Sequence, residues 1–256
     1  MLPADEEAVM PQMNATVDPE EVSRFEALGA QWWDVKGKMA PLHAMNPARL
    51  AFLRDTLVRH FSRDARALRP LKGLSLLDIG CGGGLLSEPL SRMGADVTGI
   101  DPAPGNVDIA RAHAAQSGLT VTYEAETAEA LAERGARFDV VVALEVVEHV
   151  ADVGLFVRTA GRLVADGGVL ALSTLNRTPK SFALAIVGAE YVLRWLAPGT
   201  HRWEKFVTPE ELEATLASAG FAAREKVGLA YEPFSGDFRL TEDLSVNYFM
   251  VAEREA

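Results

Sequence analysis

Residues 77–84 decide the fold, and they read Leu77-Asp78-Ile79-Gly80-Cys81-Gly82-Gly83-Gly84. The apolar run at residues 74–79 predicts a buried β-strand, and the glycines after it predict a tight turn into a helix. A second strand is predicted to end at Asp101, about 20 residues beyond the loop. The glycine loop and this carboxylate together predict a nucleotide-type site, in which the carboxylate binds both hydroxyls of a ribose.

The spacing of the glycines distinguishes two classes of cofactor. Glycine occupies every second position at Gly80, Gly82 and Gly84. A nicotinamide dinucleotide site needs glycine at the sixth position of its motif, and counting from Gly80 that position is Leu85. Asp78 lies inside the first predicted strand, where a carboxylate would oppose a pyrophosphate but suits the cationic amino-acid end of S-adenosylmethionine. The sequence therefore favours S-adenosylmethionine as the cofactor, against a glycine-rich turn that binds nothing.

Strands and helices alternate on both sides of this loop. This rhythm predicts an α/β, Rossmann-like fold with a mostly parallel, doubly wound sheet. The predicted strands are residues 74–79, 96–100, 120–123, 138–143, 169–173 and 246–252, and the clearest predicted helices are residues 103–117, 153–163 and 209–219.

The chain is predicted to form a single domain with additions. Residues 1–20 lack periodicity and are predicted to be a loose tail, and the domain is expected to span residues 21–256. Residues 21–70 follow a helical pattern, with a predicted break at residues 41–47, and are interpreted as a helical cap. Residues 176–206 interrupt the α/β rhythm with an apolar helix pattern, and are predicted to be a lid or membrane-contacting insertion over the site.

Composition excludes several classes of protein. The formal net charge of -11 argues against a nucleic-acid partner, because phosphate-backbone binders are normally basic. The one cysteine, Cys81, excludes an intramolecular disulfide and a cysteine-built zinc site, which fits a reducing cytoplasm. Residues 1–13 lack the pattern of a secretory signal, and no apolar stretch reaches the roughly 18 residues of a transmembrane helix.

Motifs outside the glycine loop narrow the family. They include Phe25-Glu26-Ala27, Trp32-Trp33-Asp34, Asn46-Pro47-Ala48-Arg49-Leu50, Glu145-Val146-Val147-Glu148-His149-Val150, Ser173-Thr174-Leu175-Asn176-Arg177 and Val246-Asn247-Tyr248. On these motifs the chain resembles the ubiquinone-biosynthesis O-methyltransferases over residues 24–253. The resemblance implies a class I methyltransferase with a seven-stranded sheet. It also implies methyl transfer to a ring hydroxyl of a polyprenylated phenol or catechol, at two steps of one pathway.

The resemblance also implies particular cofactor contacts, at Arg49, Gly80, Asp101 and Leu144. A guanidinium at Arg49 could pair with the cofactor carboxylate, although by sequence alone this residue reads as a solvated helix charge. Leu144 would pack on the adenine. Glu126 follows the third predicted strand, where it is either an adenine contact or a solvated loop acid.

Three residues after the fourth predicted strand are the candidate catalytic groups. Glu145, Glu148 and His149 stand at helical spacing, so Glu145 can share a face with both of the others. Two carboxylates and an imidazole make a plausible site for Mg²⁺ or Zn²⁺, which would lower the pKa of a ring hydroxyl. Without a metal, His149 could act as the general base. The alternative is a helix N-terminus favoured by acids, with His149 on the surface.

The insertion suggests a membrane partner. Five basic residues stand against two acidic ones across the segment, in an otherwise acidic chain: Arg177, Lys180, Arg194, Arg202 and Lys205 against Glu190 and Glu204. An apolar helix with basic flanks is typical of transient contact with an anionic membrane surface. The family resemblance implies other proteins of ubiquinone biosynthesis as further partners. The alternative is a helix buried on the protein itself.

Three other functions stay open from the sequence. They are a methyltransferase for a soluble small molecule, a nicotinamide-dependent Rossmann oxidoreductase, and a binding module without catalysis.

Overall fold

The computed structural model describes residues 16–27, 29–193, 195 and 199–255. The helices are α1 (Pro19–Glu26), α2 (Ala40–His60), α3 (Ser87–Arg92), α4 (Pro104–Gln116), α5 (Ala128–Glu133), α6 (Val153–Arg162), α7 (Pro179–Ser181) and α8 (Pro209–Ser218). The strands are β1 (Ser75–Ile79), β2 (Asp96–Asp101), β3 (Thr122–Ala125), β4 (Phe138–Leu144), β5 (Val164–Leu175), β6 (Phe221–Glu232), β7 (Asp237–Thr241) and β8 (Asn247–Arg254).

The strands form one sheet in the order β3-β2-β1-β4-β5-β8-β6-β7. The strands from β3 to β5 run parallel, whereas β8, β6 and β7 pair antiparallel to their neighbours. The predicted Rossmann-like, mostly parallel architecture is confirmed. The carboxyl ends of β1, β2 and β4 meet at one edge of this sheet, where α/β proteins place their ligands.

The expected number of seven strands is wrong for the described residues, since eight are present. Two strands, β6 and β7, lie outside the strand ranges predicted from the sequence, and they pair with each other across a turn at residues 233–236. Gly236 in this turn has a φ of +81°. The sequence hides β7 because this strand is a short, largely solvent-facing edge without clear alternation of polar and apolar residues.

Two apolar layers cover the two faces of the sheet. In β4, Val141 faces one layer, which contains residues of α6 and α8, whereas Val140 and Val142 face the other. This second layer contains Phe52 and Leu57 of α2. Successive side chains of a strand point to opposite faces, so a strand buried between two layers is nearly all apolar.

The cap differs from the prediction in where it breaks. Residues 41–47 do not separate two helices, because Pro41 stands in the first turn of α2 and Pro47 lies inside it. Proline is tolerated in a first turn, where the missing N–H has no helical partner. The actual interruption lies between α1 and α2 and contains a short 3₁₀ turn, Gly29–Gln31.

The predicted loose tail falls mostly outside the described residues, as does Leu28 of the predicted cap helix. The described part of that tail is held in place. Asp18 caps α1, and the backbone N–H and the hydroxyl of Thr16 both donate to Glu129 Oε1, at 2.8 and 2.5 Å.

The insertion begins with α7, which continues into a π-helix, Phe182–Val192, and later contains a 3₁₀ turn, Trp203–Lys205. Six large apolar residues of the π-helix and its end are exposed: Phe182, Leu184, Val187, Tyr191, Val192 and Leu193. Across the described part of the chain, no helix combines the length and apolar character needed to cross a bilayer.

Candidate active site

The glycine loop joins β1 to α3, and three of its glycines have positive φ angles: Gly80 at +72°, Gly82 at +51° and Gly84 at +88°. Only glycine adopts this region without strain. A Cβ atom at Gly82 would also overlap the ring of Trp32, and one at Gly84 would overlap the hydroxyl of Tyr123. The loop is therefore closely covered by side chains as well as tightly turned.

Asp101 connects the two halves of the predicted motif. Its Oδ2 accepts a hydrogen bond from the N–H of Gly82 at 3.0 Å. Its Oδ1 accepts from the N–H of Ala103 at 2.9 Å and from Asn106 Nδ2 at 3.2 Å. Burial raises the pKa of Asp101, although these hydrogen bonds act in the opposite direction. The carboxylate is thus held at the tip of β2, directly against the loop.

Arg49 and Asp78 are two buried groups of opposite charge near the glycine loop, and they make no direct hydrogen bond to each other in the described structure. Arg49 is 5% exposed and Asp78 is 3% exposed. Burial raises the pKa of Asp78 to about 7, and its Oδ2 accepts from Ser87 Oγ at 2.5 Å. The Nε of Arg49 is buried without a hydrogen-bond partner. The unpaired Nε of Arg49 could donate to a ligand carboxylate, and the carboxylate of Asp78 could bind a ligand cation.

Glu145 follows β4 in a strained conformation, with a φ of +57°. Neighbouring strands hold it there. Its N–H donates to the carbonyl of Ser173 at 3.1 Å, and its carboxylate accepts from Ser173 Oγ at 2.6 Å and from Asn247 Nδ2 at 2.8 Å. Arg49 Nη2 lies 3.4 Å from Glu145 Oε1. Glu145 therefore forms an ion pair with Arg49 from its position directly after β4.

Glu148 and His149 lie in a 3₁₀ turn, Val147–His149, but face different partners. Glu148 is buried, and its Oε2 accepts from Thr174 Oγ1 at 2.7 Å while Oε1 has no partner. Burial, and then the charge of Glu145, raises the pKa of Glu148 to about 7. His149 Nδ1 lies 3.1 Å from Glu21 Oε2.

These three residues do not fit the predicted metal site as they are arranged. The carboxylate of Glu145 is held by Ser173 and Asn247, and His149 faces Glu21. Among the residues that the structure describes, no group of three or more acidic, histidine or cysteine side chains could hold a metal ion. The 3₁₀ turn Val147–His149 does not include Glu145, so the three residues do not share the helical face that their spacing predicted.

Two residues of the site were missed by the sequence analysis. Glu21 of α1 is 128 positions from His149, so no local spacing could connect them. Burial alone would lower the pKa of His149, but the hydrogen bond with Glu21 and the charge of Glu148 raise it above its usual value. His201, which no motif singled out, lines the cavity with its ring centroid 6.1 Å from that of His149.

Most of the other predicted residues lie around one cavity of about 630 Å³, within the usual range for ligand sites, whereas Gly82 and Gly84 lie behind its wall under Trp32 and Tyr123. Gly80, Asp101 and Leu144 line it. Glu126 lies at the same cavity and its carboxylate pairs with Arg134. Cys81 is buried, and burial raises the pKa of its thiol well above the usual value, which agrees with a packing role.

Comparison with known proteins agrees with this architecture. Residues 47–226 match the methyltransferase domain family. The solved magnesium protoporphyrin IX methyltransferase of Synechocystis PCC 6803, with bound S-adenosylhomocysteine, has a TM-score of 0.62 at 19% identity and covers 92% of this chain and 100% of its own. A S-adenosylmethionine-dependent methyltransferase from Clostridium acetobutylicum has the same TM-score at 12% identity, covering 91% of this chain and 99% of its own.

Curated relatives match nearly the full length. The chain is 66% identical over 240 residues to the ubiquinone biosynthesis O-methyltransferase of Azorhizobium caulinodans, covering 94% of this chain and 95% of that protein. It is 56% identical over 239 residues to the protein of the same name from Methylobacterium nodulans, covering 93% and 96%. The chain belongs to the ubiquinone biosynthesis O-methyltransferase family.

Proposed function

We propose that the protein transfers the methyl group of S-adenosylmethionine to a ring hydroxyl of a polyprenylated phenol or catechol in ubiquinone biosynthesis. The observation that carries this proposal is one cavity with two kinds of lining. Charged and polar residues of the glycine-loop region line it, and apolar residues of the insertion line it as well: Arg49, Asp78, Gly80, Asp101 and His149 among the first, and Leu184, Ala185 and Ala189 among the second. A cofactor and an acceptor hydroxyl can therefore meet in the same space.

The proposed cofactor contacts follow from the charges of the residues that line the cavity. Asp101 would accept hydrogen bonds from the ribose hydroxyls, the unpaired Nε of Arg49 would donate to the amino-acid carboxylate, and Asp78 would bind the cationic amino group. Gly80 lines the cavity and would allow close approach of the cofactor, Gly82 and Gly84 would support the tight turn behind it, and Leu144 and Glu126 would contact the adenine.

The proposed role of His149 follows from the need to make the acceptor hydroxyl oxygen nucleophilic. A phenol with a pKa of about 10 is mostly protonated near neutral pH. When Nδ1 of His149 donates to Glu21, Nε2 is left to accept the phenolic proton. The oxygen then bonds to the methyl carbon while the carbon–sulfur bond breaks, and the electron pair stays on sulfur to give S-adenosylhomocysteine.

No step of this proposal uses a metal. Binding of Mg²⁺ or Zn²⁺ by Glu145, Glu148 and His149 would require the three side chains to turn toward one point, and His149 would bind through Nε2 because Nδ1 faces Glu21. Titration calorimetry with each cation, on the wild type and on Glu148→Ala, tests the predicted site directly. Saturable binding that the substitution abolishes would support it.

The decisive experiment is methyl transfer itself. Purified protein is incubated with methyl-labelled S-adenosylmethionine and short-tailed analogues of 2-polyprenyl-6-hydroxyphenol and demethylubiquinol, the acceptors of the two expected steps. Label on the ring oxygen of either analogue supports the proposal. Labelling of tail-free catechols at equal efficiency would instead favour a methyltransferase for soluble molecules, and binding of NAD in place of the cofactor would favour an oxidoreductase.

We also propose transient contact with an anionic membrane surface through the insertion. Its support is the exposed apolar face of the π-helix, on which Val192 is 70% and Tyr191 is 58% exposed. Charge contributes less than the sequence suggests. Lys180, Arg177 and Lys205 pair with Asp243, Glu211 and Asp18 respectively, while Arg194 lies outside the described residues.

Sedimentation with anionic and neutral liposomes tests the contact. Equal binding to both would remove the electrostatic part, and binding to neither would remove the proposal.

A further inference from the structure

The far end of the cavity has a different chemistry from the end at the glycine loop. The same cavity is also lined by the π-helix and by the β6–β7 hairpin, and in the strand order this hairpin lies on the far side of β4 and His149 from the glycine loop. The lining side chains there are mostly apolar: Leu184, Ala185 and Ala189 from the helix, and Ala230, Tyr231 and Phe238 from the hairpin.

Aromatic contacts shape the wall of this end. The rings of Tyr231 and Phe238 have centroids 5.3 Å apart, and Trp195 meets Tyr231 edge to face at 4.8 Å. Lys180 and Asp243 also line the cavity. Lys180 Nζ lies 2.5 Å from Asp243 Oδ2, so the two charges compensate each other. An uncharged, apolar occupant therefore fits this end better than a polar one.

The cavity also has an apolar mouth. Leu184 and Leu193 line the cavity and are nevertheless 53% and 49% exposed, so both are shared by its interior and the protein surface. They belong to the same π-helix region that presents the exposed apolar face. An apolar chain could pass from the cavity to that face without crossing a polar surface.

We propose that the first isoprene units of the substrate tail lie between the π-helix and the β6–β7 hairpin, and that the rest leaves past Leu184 and Leu193. This inference rests on the proposed function, since it assigns the tail of that substrate. A cavity of about 630 Å³ must hold both cofactor and ring, so a long tail has to leave it. The hairpin thereby acquires a role in binding the tail.

The test is equilibrium binding to the protein loaded with S-adenosylhomocysteine, so that no turnover occurs. The ligands are catechol and geranyl-substituted catechol, and the measured quantity is the ratio of their dissociation constants. Two matched pairs of variants are compared. Ala185→Trp fills the cavity, whereas Ala183→Trp places the same side chain on an exposed position of the same helix. Phe238→Ala opens the wall, whereas Phe234→Ala truncates a fully exposed phenylalanine in the turn of the same hairpin.

In the wild type we expect the geranyl compound to bind at least tenfold more tightly, because burial of about two methylene groups has that effect. Ala185→Trp and Phe238→Ala should lower the ratio at least threefold, while both control variants keep it. An unchanged ratio in Ala185→Trp and Phe238→Ala would overturn the inference and place the tail along the cap.

A distinct result would overturn the proposed function instead. If S-adenosylhomocysteine fails to bind, or if neither catechol is methylated in the separate turnover assay, the function fails whatever the ratio is. Affinity for S-adenosylhomocysteine, measured in every variant, shows that the fold is retained.

Discussion

The two ends of the cavity have walls of different chemistry. At the glycine-loop end, the polar atoms of Asp101 and Glu145 are fixed by hydrogen bonds to strands and loops of the sheet. At the insertion end, the walls are apolar, and Leu184 and Leu193 are about half exposed. In the proposed function, single charges would therefore determine binding at the first end, whereas the apolar area buried on binding would determine it at the second.

The two ends also differ in how the chain builds them. The glycine-loop end belongs to the parallel half of the sheet, where β1 and β2 are paired residue by residue. The insertion end is closed by contacts between distant segments. Arg24 Nη1 of α1 donates to the carbonyl of Thr200 at 3.1 Å, and Lys205 Nζ lies 3.0 Å from Asp18 Oδ2. We therefore expect the insertion end to open at lower free energy than the sheet.

The largest effect should come from removing the base. We expect His149→Ala to lower kcat by about 10²–10⁴-fold, because proton removal by a positioned group contributes that much. Affinity for S-adenosylhomocysteine should stay unchanged, and steady-state kinetics beside calorimetry separate the two quantities. Glu21→Gln should cause a smaller loss of kcat, since it keeps a hydrogen-bond partner at Nδ1. Wild-type kcat in His149→Ala would remove the base from the mechanism.

The next effect concerns cofactor affinity. Asp101→Ala should weaken binding of S-adenosylhomocysteine by about 2–4 kcal/mol, because two charge-assisted bonds to the ribose are lost. It also removes the acceptor of the Gly82 N–H. Asp96→Ala, at the exposed start of the same strand, is the matched control and should leave affinity unchanged. Calorimetry that finds equal affinities in both variants would contradict the ribose assignment.

A third prediction separates backbone strain from packing at the loop. Gly82 and Gly118 both have positive φ angles, but a Cβ atom would overlap Trp32 only at Gly82 and meets nothing within 4 Å at Gly118. Alanine at Gly118 should cost about 1–2 kcal/mol of unfolding free energy through strain alone. Alanine at Gly82 should cost about 1–3 kcal/mol more, because the ring must move. Urea unfolding of both variants measures the difference, and equal values would show that Trp32 adapts freely.

A fourth prediction uses the buried carboxylate of Asp78. Its pKa is raised to about 7 by burial, whereas an unfolded aspartate titrates near 3.9. Between these values the folded protein keeps a proton that the unfolded chain has released. Its contribution to the unfolding free energy therefore falls as pH rises, by at most about 1.4 kcal/mol per pH unit. Asp78→Asn should flatten this slope between pH 5 and 7 in the cofactor-free protein. A slope identical to that of the wild type would show that Asp78 stays ionised.

The extent to which sequence predicts structure differs between the two ends. The glycine-loop end was predictable because its signals are local: Gly80, Gly82 and Gly84 follow an apolar strand, and Asp101 ends the next one. The parallel sheet follows from the same alternation of strands and helices. The strained conformation of Glu145 was not predictable, because it depends on hydrogen bonds from Ser173 and Asn247 on other strands.

The insertion end was harder to predict for physical reasons. The partner of His149 is Glu21, which comes from a helix far away in the chain and carries no motif of its own. The hairpin strand β7 is a polar edge, so periodicity does not reveal it. The basic flanks of the insertion were visible in the sequence, but their pairing with acids such as Asp243 and Glu211 depends on tertiary structure.

The smallest effect should be found on the outer face of the insertion. Val192→Ser removes an apolar side chain that is 70% exposed on the π-helix, and we expect it to weaken binding to anionic liposomes by about 1 kcal/mol, or roughly fivefold. Val35→Ser is the matched control, because Val35 is similarly exposed, at 61%, but lies before α2, away from the insertion. Sedimentation at two salt concentrations measures both variants. Because several basic flank residues are already paired, added salt should weaken binding less than the serine substitution does. If the two variants bind equally, or if salt alone abolishes binding, membrane contact is electrostatic and the contrast between the two ends of the cavity does not extend to the surface.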